Sequence, residues 1–263
     1  MDDPKKATMV TPKVSVIIPI YNEEATIATV LHELCAVPAV AQIIVVDDGS
    51  TDNSAKIIKK NSDKKIQFFQ KSNGGKGSAI QLGLEHATEK FVLIQDADLE
   101  YHPSDIEKLL APIQKRPDVE VVYGSRFLGP HANLLFWHML GNHFLNFFVN
   151  ILFDTTLSDL ETCYKLLPTK LMNDLHLSSN GFEIEVEITC KLLKHKKRIY
   201  EVPISYFGRD FAAGKGYSVR HTEPTAGKHT VEFKHKGKTT RKANLSKTAA
   251  DAAFVDFIVK AKG

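Results

Sequence analysis

The stretch VSVIIPIYNEEATIATVLHELCAVPAVAQIIVVDDGS, residues 14–50, holds one strand–helix–strand pattern. Its first segment, VSVIIPI (14–20), is a short β-branched run without a helical period, which predicts a buried strand. NEEATIATVLHELCAV (22–37) predicts a helix with Asn22 as N-cap and acidic residues in the first turn. QIIVVDDGS (42–50) predicts a second strand and its turn. This spacing is typical of a parallel βαβ unit.

The same alternation continues along the chain. TDNSAKIIKKNS predicts a helix, KIQFFQ a strand, the Gly-rich KSNGGKGSAIQLGLEHAT a turn and helix, and KFVLIQ a strand that ends at Asp96. GFEIEVEITCKLLKHK predicts a late helix and RIYEVPISY a late strand, in which Pro203 indicates an edge or a bulge. The predicted fold class is therefore α/β, a doubly wound and mostly parallel sheet with helices on both faces.

Polar residues follow four of the predicted strands, in the segments PIYNEE, DDGSTD, DADLE and YGSR. The carboxyl ends of parallel strands meet at one edge of a sheet, and ligands of such sheets bind there. We therefore expect these four polar segments to form one site.

The segment FVLIQDADLEYHP (91–103) runs from apolar residues directly into carboxylates. In an extended backbone Asp96, Asp98 and Glu100 point the same way, and converging carboxylates repel each other unless a cation lies between them. Hard oxygen ligands suit Mg²⁺ or Mn²⁺, whose coordination a substrate's phosphates often complete. The alternative is a solvated acidic turn that precedes a helix starting near Ser104.

Several nucleotide-binding and hydrolytic classes are disfavoured by the motifs. NGGKG (73–77) does not match the Walker spacing, because Lys76 lies between glycines, and no G-x-G-x-x-G follows the first strand. No Ser–His–Asp arrangement is readable. The first strand instead ends in Pro19, Tyr21 and Glu23, which offer a ring to stack on a base and a carboxylate for a ribose or base.

Composition indicates a soluble globular chain of 263 residues with a net charge of +3. Three widely spaced cysteines predict neither a disulfide framework nor a zinc site, and so a reducing cytosolic setting. The N-terminus has no apolar secretory segment. From Tyr217 to Gly263 ten Lys and Arg stand against four Asp and Glu, a basic tail suited to anionic lipid, to nucleic acid or, most commonly, to solvent.

Residues 127–153 contain no Asp, Glu, Lys or Arg. Polar residues recur every fourth position there, which places a polar stripe on one helix face: His138, Asn142, Asn146 and Asn150. We expect one or two amphipathic helices that lie in a membrane surface or roof an apolar site. A core helix beside the sheet is the alternative.

Together these motifs resemble family 2 glycosyltransferases of the GT-A fold. The resemblance rests on VSVIIPIYNEEATI, IIVVDDGSTD, NGGKGSAIQLGLEHA, FVLIQDADLEYHP and VVYGSRF, in this order. LSDLETCYKLLP and GFEIEVEITCKLLKHKKRIYEVPISYFGR are similar to the branch that glycosylates polyprenyl phosphates, of which dolichyl-phosphate mannose synthase is a member. The implied organisation is a tail (1–12), a GT-A domain (13–216) and a basic extension of unknown structure (217–263).

The resemblance implies roles for particular positions. Asp96 and Asp98 would bind Mg²⁺ or Mn²⁺ at the donor diphosphate, with Glu100 as a further ligand. Arg126 would meet phosphate, and Arg209 and Lys215 would contact the donor and acceptor phosphates from a mobile loop; Asp96, Asp98, Arg126 and Arg209 make up the implied catalytic set. The implied contacts to the nucleotide sugar are Pro19, Tyr21, Glu23, Val46, Asp48, Ala97 and Lys215.

The implied activity is an inverting, metal-dependent hexosyl transfer. Mannose or glucose would pass from GDP-mannose or UDP-glucose to a polyprenyl or dolichyl phosphate, on the cytoplasmic side of a membrane to which the enzyme attaches peripherally, without nucleic acid as a partner. The alternatives are a family member with a saccharide acceptor and a non-catalytic nucleotide-binding relative. Past Gly216 the polar sequence departs from the family's apolar, Trp-containing helix.

Overall fold

The computed structural model describes residues 12–130, 136–207, 218–221, 229–235 and 238–245. The chain divides into two compact units, residues 1–207 and 208–263. The boundary that the sequence places after residue 216 lies outside the described residues and stays a prediction.

The first unit alternates strands and helices. Its strands are β1 (Val14–Ile20), β2 (Val40–Asp47), β3 (Ile66–Gln70), β4 (Phe91–Ile94), β5 (Val121–Ser125), β6 (Lys165–Pro168) and β7 (Ile199–Pro203). Its helices are α1 (Ile27–Ala36), α2 (Ser54–Lys59), α3 (Lys76–Glu85), α4 (Ile106–Lys115), α5 (Phe136–Phe153), α6 (Thr169–Asp174) and α7 (Ile184–Lys194). A short 3₁₀ turn, Pro103–Asp105, precedes α4.

All seven strands form one sheet in the order β3-β2-β1-β4-β6-β5-β7. The pairs β1–β2, β1–β4, β2–β3 and β5–β7 are parallel, whereas β6 runs antiparallel to β4 and β5. The predicted α/β class with a mostly parallel sheet is confirmed. Pro203 ends β7, which is an edge strand, as the sequence indicated.

The centre of the sheet is buried on both faces. Every residue of β4 is buried, and Val16, Ile17 and Ile18 of β1 are completely inaccessible. Strands covered on both sides need apolar residues at every position, which explains continuous apolar runs instead of alternation. This central burial fixes the strands whose carboxyl ends carry the candidate site.

The first helix begins later than predicted. α1 starts at Ile27, its N-cap is Thr26, and its first turn holds no acidic residue. Asn22 instead adopts a left-handed backbone conformation with φ of 57°. Its side-chain oxygen accepts hydrogen bonds from the backbone N–H groups of Thr51 (2.8 Å) and Asp52 (3.3 Å). The prediction of Asn22 as N-cap was wrong because this amide joins two strand-end loops.

The antiparallel strand β6, KLLP, was not predicted. Four residues carry too little periodicity to be recognised, and the first of them, Lys165, is a completely buried lysine. β5 ends at Ser125, so Arg126 is the first residue after the strand.

Helix α5 is one helix whose two faces are reversed relative to a solvated surface helix. Asn146 is buried and Asn150 half-buried, so these two amides of the predicted polar stripe face inward. Four apolar side chains are exposed by 46–62%: Leu140, Phe144, Phe147 and Ile151. Within the described ranges, no helix combines the length and apolar character required to span a bilayer.

The second unit contains three described strands, β8 (Ser218–His221), β9 (His229–His235) and β10 (Lys238–Leu245). They form an antiparallel sheet in the order β10-β9-β8. The described strands thus belong to the predicted basic extension (217–263), for which the sequence predicted no structure.

Candidate functional site

The strands β2, β1 and β4 bring their polar ends to one edge. In the parallel register Ile20 of β1 lies opposite Asp47 of β2, and Ile17 lies opposite Ile94 of β4. The segments that follow these strands therefore start side by side. Asp48 and Asp96 belong to two of these segments. Both contact the segment from the end of β3 to the start of α3, Asp48 through Lys71 and Asp96 through Lys76.

Asp48 organises the Gly-rich turn between β3 and α3. Its carboxylate is almost completely buried and accepts hydrogen bonds from the N–H groups of Gly74 (2.8 Å) and Gly75 (2.7 Å). The Lys71 ammonium lies 2.8 Å from the same carboxylate. Because Asp48 uses these N–H groups, the turn is not a free phosphate cradle. The predicted contact of Asp48 with the nucleoside stays a prediction.

Two glycines of this turn allow close approach of another loop. Gly75 has φ of 98°, a conformation that favours glycine. A Cβ atom on Gly75 or Gly77 would lie far inside contact distance of the carbonyl oxygens of Asn180 and Ser179, respectively. Ser78 also donates its backbone N–H to Asn180 O at 3.1 Å. The turn is thus packed against the loop that precedes α7.

The three carboxylates after β4 do not converge in the predicted way. β4 ends at Ile94, and Leu99 has a left-handed φ of 64°, so the backbone from 96 to 100 is a turn and not an extended strand. Asp98 Oδ1 accepts the backbone N–H of Glu100 at 3.2 Å. The Glu100 carboxylate accepts a hydrogen bond from Tyr206 Oη at 2.6 Å.

No group of three or more His, Cys, Asp or Glu side chains suited to a metal ion occurs among the described residues. The extended backbone expected for residues 96 to 100 is wrong, because the chain turns at Leu99. Asp96 and Asp98 remain next to the strand end. The metal site predicted on Asp96, Asp98 and Glu100 stays a prediction.

Asp96 belongs to a chain of alternating charges that the sequence did not reveal. The Lys76 ammonium lies 2.8 Å from Asp96 Oδ1 and 3.2 Å from Glu185 Oε1. Glu185 Oε2 in turn lies 2.7 Å from the buried Lys165 ammonium. Burial opposes the charge of Lys76, but Asp96 and then Glu185 outweigh burial and raise the pKa of Lys76 above its ordinary range. Lys76 is therefore a permanent cation at the strand edge.

Arg126 is held by a second carboxylate. Its Nε and Nη2 donate to Asp159 at 2.8 and 2.7 Å, and its backbone N–H donates to Asp159 Oδ2 at 2.9 Å. The guanidinium carbon lies 5.3 Å from the centre of the Tyr206 ring, the same tyrosine that donates to Glu100. Tyr206 therefore lies between the predicted phosphate-binding arginine and the loop that follows β4.

The predicted nucleoside contacts differ in accessibility. Tyr21 is 45% exposed and presents its ring to solvent, whereas Val46 is completely buried. Ala97 is buried as well, and the predicted nucleotide contacts of Val46 and Ala97 stay predictions. Glu23 is buried, and its carboxylate accepts a hydrogen bond from Thr26 Oγ1 at 2.9 Å.

Of the remaining predicted residues, one lies in the sheet and two lie outside the described residues. Pro19 lies opposite the buried Val46 in the sheet register. Arg209 and Lys215, the two predicted phosphate contacts of the mobile loop, lie outside the described residues and stay predictions. Lys76 and Glu185 are the site residues that sequence reasoning missed. An Asp–Lys–Glu arrangement is invisible in the sequence because its members come from β4's loop, α3 and α7.

Comparison with known proteins shows relatives that are 29–30% identical to this chain. An uncharacterized protein of Methanocaldococcus jannaschii is 30% identical over 210 residues, which are 72% of this chain and 86% of that protein. Glycosyltransferase AglJ of Haloferax volcanii is 29% identical over 204 residues, 76% of this chain and 65% of AglJ.

Among solved structures, glucosyl-3-phosphoglycerate synthase from Mycobacterium tuberculosis in complex with Mn²⁺, UDP and glucosyl-3-phosphoglycerate superposes with a TM-score of 0.61. The identity is 19%, over 77% of this chain and 74% of the synthase, so the likeness concerns the fold, and it agrees with the predicted GT-A architecture. The model of the family "Glycosyl transferase family 2" matches residues 15–175, which include the strand edge with Asp48, Asp96 and Arg126. The chain belongs to glycosyl transferase family 2.

Proposed function

We propose that the chain transfers a hexose from a nucleotide sugar to a polyprenyl phosphate at a membrane surface, with inversion at the anomeric carbon. The family supports glycosyl transfer. The lipid acceptor rests on one observation, the outward apolar stripe of α5, a helix that carries no charged residue.

Asp96 and Asp98 fit a divalent ion by their chemistry. Both are carboxylates at the carboxyl end of a central strand, and two carboxylates plus substrate phosphates are a common donor set for Mg²⁺. Related solved structures contain Mn²⁺ or Mg²⁺ together with UDP. When bound, such an ion stabilises the negative charge that develops on the departing diphosphate.

The chain's own cations act on the same charge. Lys76, 2.8 Å from Asp96, is placed beside the proposed position of the diphosphate. Arg126 is oriented by Asp159, so its guanidinium is ordered before a phosphate arrives. Fixed donors directed at a developing charge stabilise the transition state more than mobile ones, because they need no reorganisation.

The proposed acceptor reduces the need for a general base. A phosphate monoester is already anionic near neutral pH. In a single displacement its oxygen forms the bond to the anomeric carbon while the bond from that carbon to the diphosphate oxygen breaks, and the electron pair leaves with the nucleoside diphosphate. An α-linked donor would therefore give a β-linked product.

The α5 stripe is suited to a lipid surface. Leu140, Phe144, Phe147 and Ile151 follow the i, i+4, i+7, i+11 spacing of one helix face. Exposed apolar side chains of this size, side by side, are typical of a protein or membrane contact, and a polyprenyl acceptor stays in the bilayer. We therefore propose peripheral attachment to the cytoplasmic side of a membrane through this stripe.

The activity test uses a radiolabelled nucleotide sugar, Mn²⁺ and a polyprenyl phosphate. Label extracted into organic solvent supports the proposal. Label on an added saccharide, separated from the unreacted donor, indicates a saccharide acceptor, and the absence of transfer to any acceptor contradicts catalysis. Asp98→Asn should abolish transfer. The matched control is Asp118→Asn, because Asp118 is 64% exposed and lies outside the strand edge.

Membrane attachment has its own test, flotation with liposomes. Phe147→Glu should reduce binding to phosphatidylcholine and phosphatidylglycerol vesicles. Tyr200→Glu is the control, since Tyr200 is an exposed aromatic residue of β7 and not of α5. Equal loss in both variants would contradict the assignment of α5 as the lipid-facing surface.

The donor nucleotide can be identified by thermal stabilisation. A ligand that binds only the folded state raises the melting temperature. UDP and GDP, each with Mn²⁺, should therefore raise it unequally, and the larger shift identifies UDP-glucose or GDP-mannose as the donor class.

A further inference from the structure

The Lys76 ammonium contacts Asp96, one of the carboxylates of the proposed metal site. Lys76 is the first residue of α3, its side chain is 11% exposed, and its ammonium lies 2.8 Å from Asp96 Oδ1. A divalent ion bound to the same carboxylate would lie beside this ammonium. Two neighbouring cations in a partly buried site repel each other strongly. Lys76 and the ion therefore compete for Asp96.

A second carboxylate is in place to receive the displaced ammonium. Glu185 is almost completely buried, and its Oε1, 3.2 Å from Lys76 Nζ, accepts no hydrogen bond in the structure. A buried oxygen of a charged group without a hydrogen bond is costly. The Lys76 ammonium, which would have to leave Asp96, already lies within ion-pair distance of this oxygen.

The surroundings allow a small shift of Lys76 and prevent a shift of Glu185. Glu185 Oε2 is fixed by Lys165 at 2.7 Å, and Lys165 also donates to Thr162 O. Lys76 has a flexible four-carbon stem, and its ammonium lies 5.8 Å from the centre of the exposed Phe182 ring. The lysine can therefore move while the glutamate stays in place.

We propose that Lys76 is an exchangeable internal counterion: it neutralises Asp96 in the metal-free enzyme and moves to Glu185 when a divalent ion binds Asp96. This inference rests on the proposed metal site. In this role Lys76 balances the charge of Asp96 without metal, and Glu185 is a positioning residue that retains the cation next to the bound donor.

The test is a titration of the full chain with Mn²⁺ in the absence of nucleotide. The electron paramagnetic resonance signal of free Mn²⁺ measures how much of the ion is bound. Removal of the competing charge in Lys76→Met should tighten Mn²⁺ binding by about tenfold or more. Lys71→Met is the matched control, because Lys71 is also a partly buried lysine paired with an aspartate but its partner is Asp48. Its dissociation constant should stay within about twofold of wild type.

A second variant covers a folding defect of the first. Lys76→Gln removes the charge but keeps a hydrogen-bond donor for Asp96, and should also tighten Mn²⁺ binding, with circular dichroism confirming the fold. If the wild type binds Mn²⁺ and neither Lys76→Met nor Lys76→Gln binds it more tightly, the counterion role is wrong. The proposed function would still stand in that case. If no variant binds Mn²⁺, with or without UDP or GDP, both the inference and the metal site are wrong.

Discussion

Two Arg–Asp pairs among the described residues of the first unit allow a direct measurement of how burial changes the energy of the same interaction. Arg126 and Asp159 are bonded through Nε and Nη2, with side chains 13% and 0% exposed. Arg116 and Asp118 are bonded through the same atoms, with side chains 59% and 64% exposed. The perturbation is the removal of the aspartate from each pair, Asp159→Ala and Asp118→Ala.

The expected costs differ because only one arginine is left without solvent. Removing one partner of a buried pair leaves an uncompensated buried charge, which costs about 3–5 kcal/mol of unfolding free energy. Removing one partner of an exposed pair costs less than about 1 kcal/mol, since water solvates the remaining charge. For a unit of this size the first change should lower the melting temperature by about 9–15 °C, and the second by about 3 °C at most.

Urea unfolding followed by far-ultraviolet circular dichroism measures both variants under one condition. The double variant Arg126→Met/Asp159→Leu should be more stable than Asp159→Ala alone, because replacing both buried partners by apolar groups removes the unpaired charge. The reasoning is refuted if Asp159→Ala costs no more than Asp118→Ala, or if the double variant is the less stable one.

Three further changes test the loops around the site. Gly77→Ala should destabilise the chain by about 1–3 kcal/mol in urea unfolding, because its Cβ would clash with the carbonyl oxygen of Ser179. Burial opposes ionisation of Glu187, but hydrogen bonds from a lysine and a loop backbone outweigh it and lower its pKa from 4.5 to about 2. The ionised Glu187 therefore contributes fully to the free energy of unfolding above pH 4.5, and this contribution is lost as the pH falls toward 2. Glu187→Gln should destabilise the chain in urea unfolding at pH 7 and leave its stability unchanged near pH 2. Asn146→Ala should speed hydrogen exchange of the Leu160 amide, which loses its 2.8 Å bond to the Asn146 side chain.

The elements that the sequence predicted well are those whose reason is local. β1 was placed at its observed limits because a strand buried on both faces must be apolar throughout. The start of α1 was misplaced because the Asn22 side chain accepts a hydrogen bond from Thr51, in the loop after β2. The local sequence around Asn22 gives no sign of this distant partner. Lys76 was missed for the same reason, since its partners Asp96 and Glu185 come from other elements. Edge residues were thus predictable as a group, but their pairing was not.

Helix α5 connects the proposed lipid surface to the candidate site through hydrogen bonds. Its inward amide Asn146 donates to Ser158 O at 2.5 Å and accepts from Leu160 N, so the helix holds the backbone on both sides of Asp159. Asp159 in turn holds Arg126 through both guanidinium contacts. A helix that only covered the core would turn its apolar face inward, because burying amides gains stability only when each finds a partner. Here the amides have partners and the apolar face is left outside, so the loop at the site specifies the orientation of the helix. If α5 lies on a membrane as proposed, a shift of the helix would reach Arg126 in two hydrogen-bonded steps, from Asn146 to the backbone beside Asp159 and from Asp159 to Arg126.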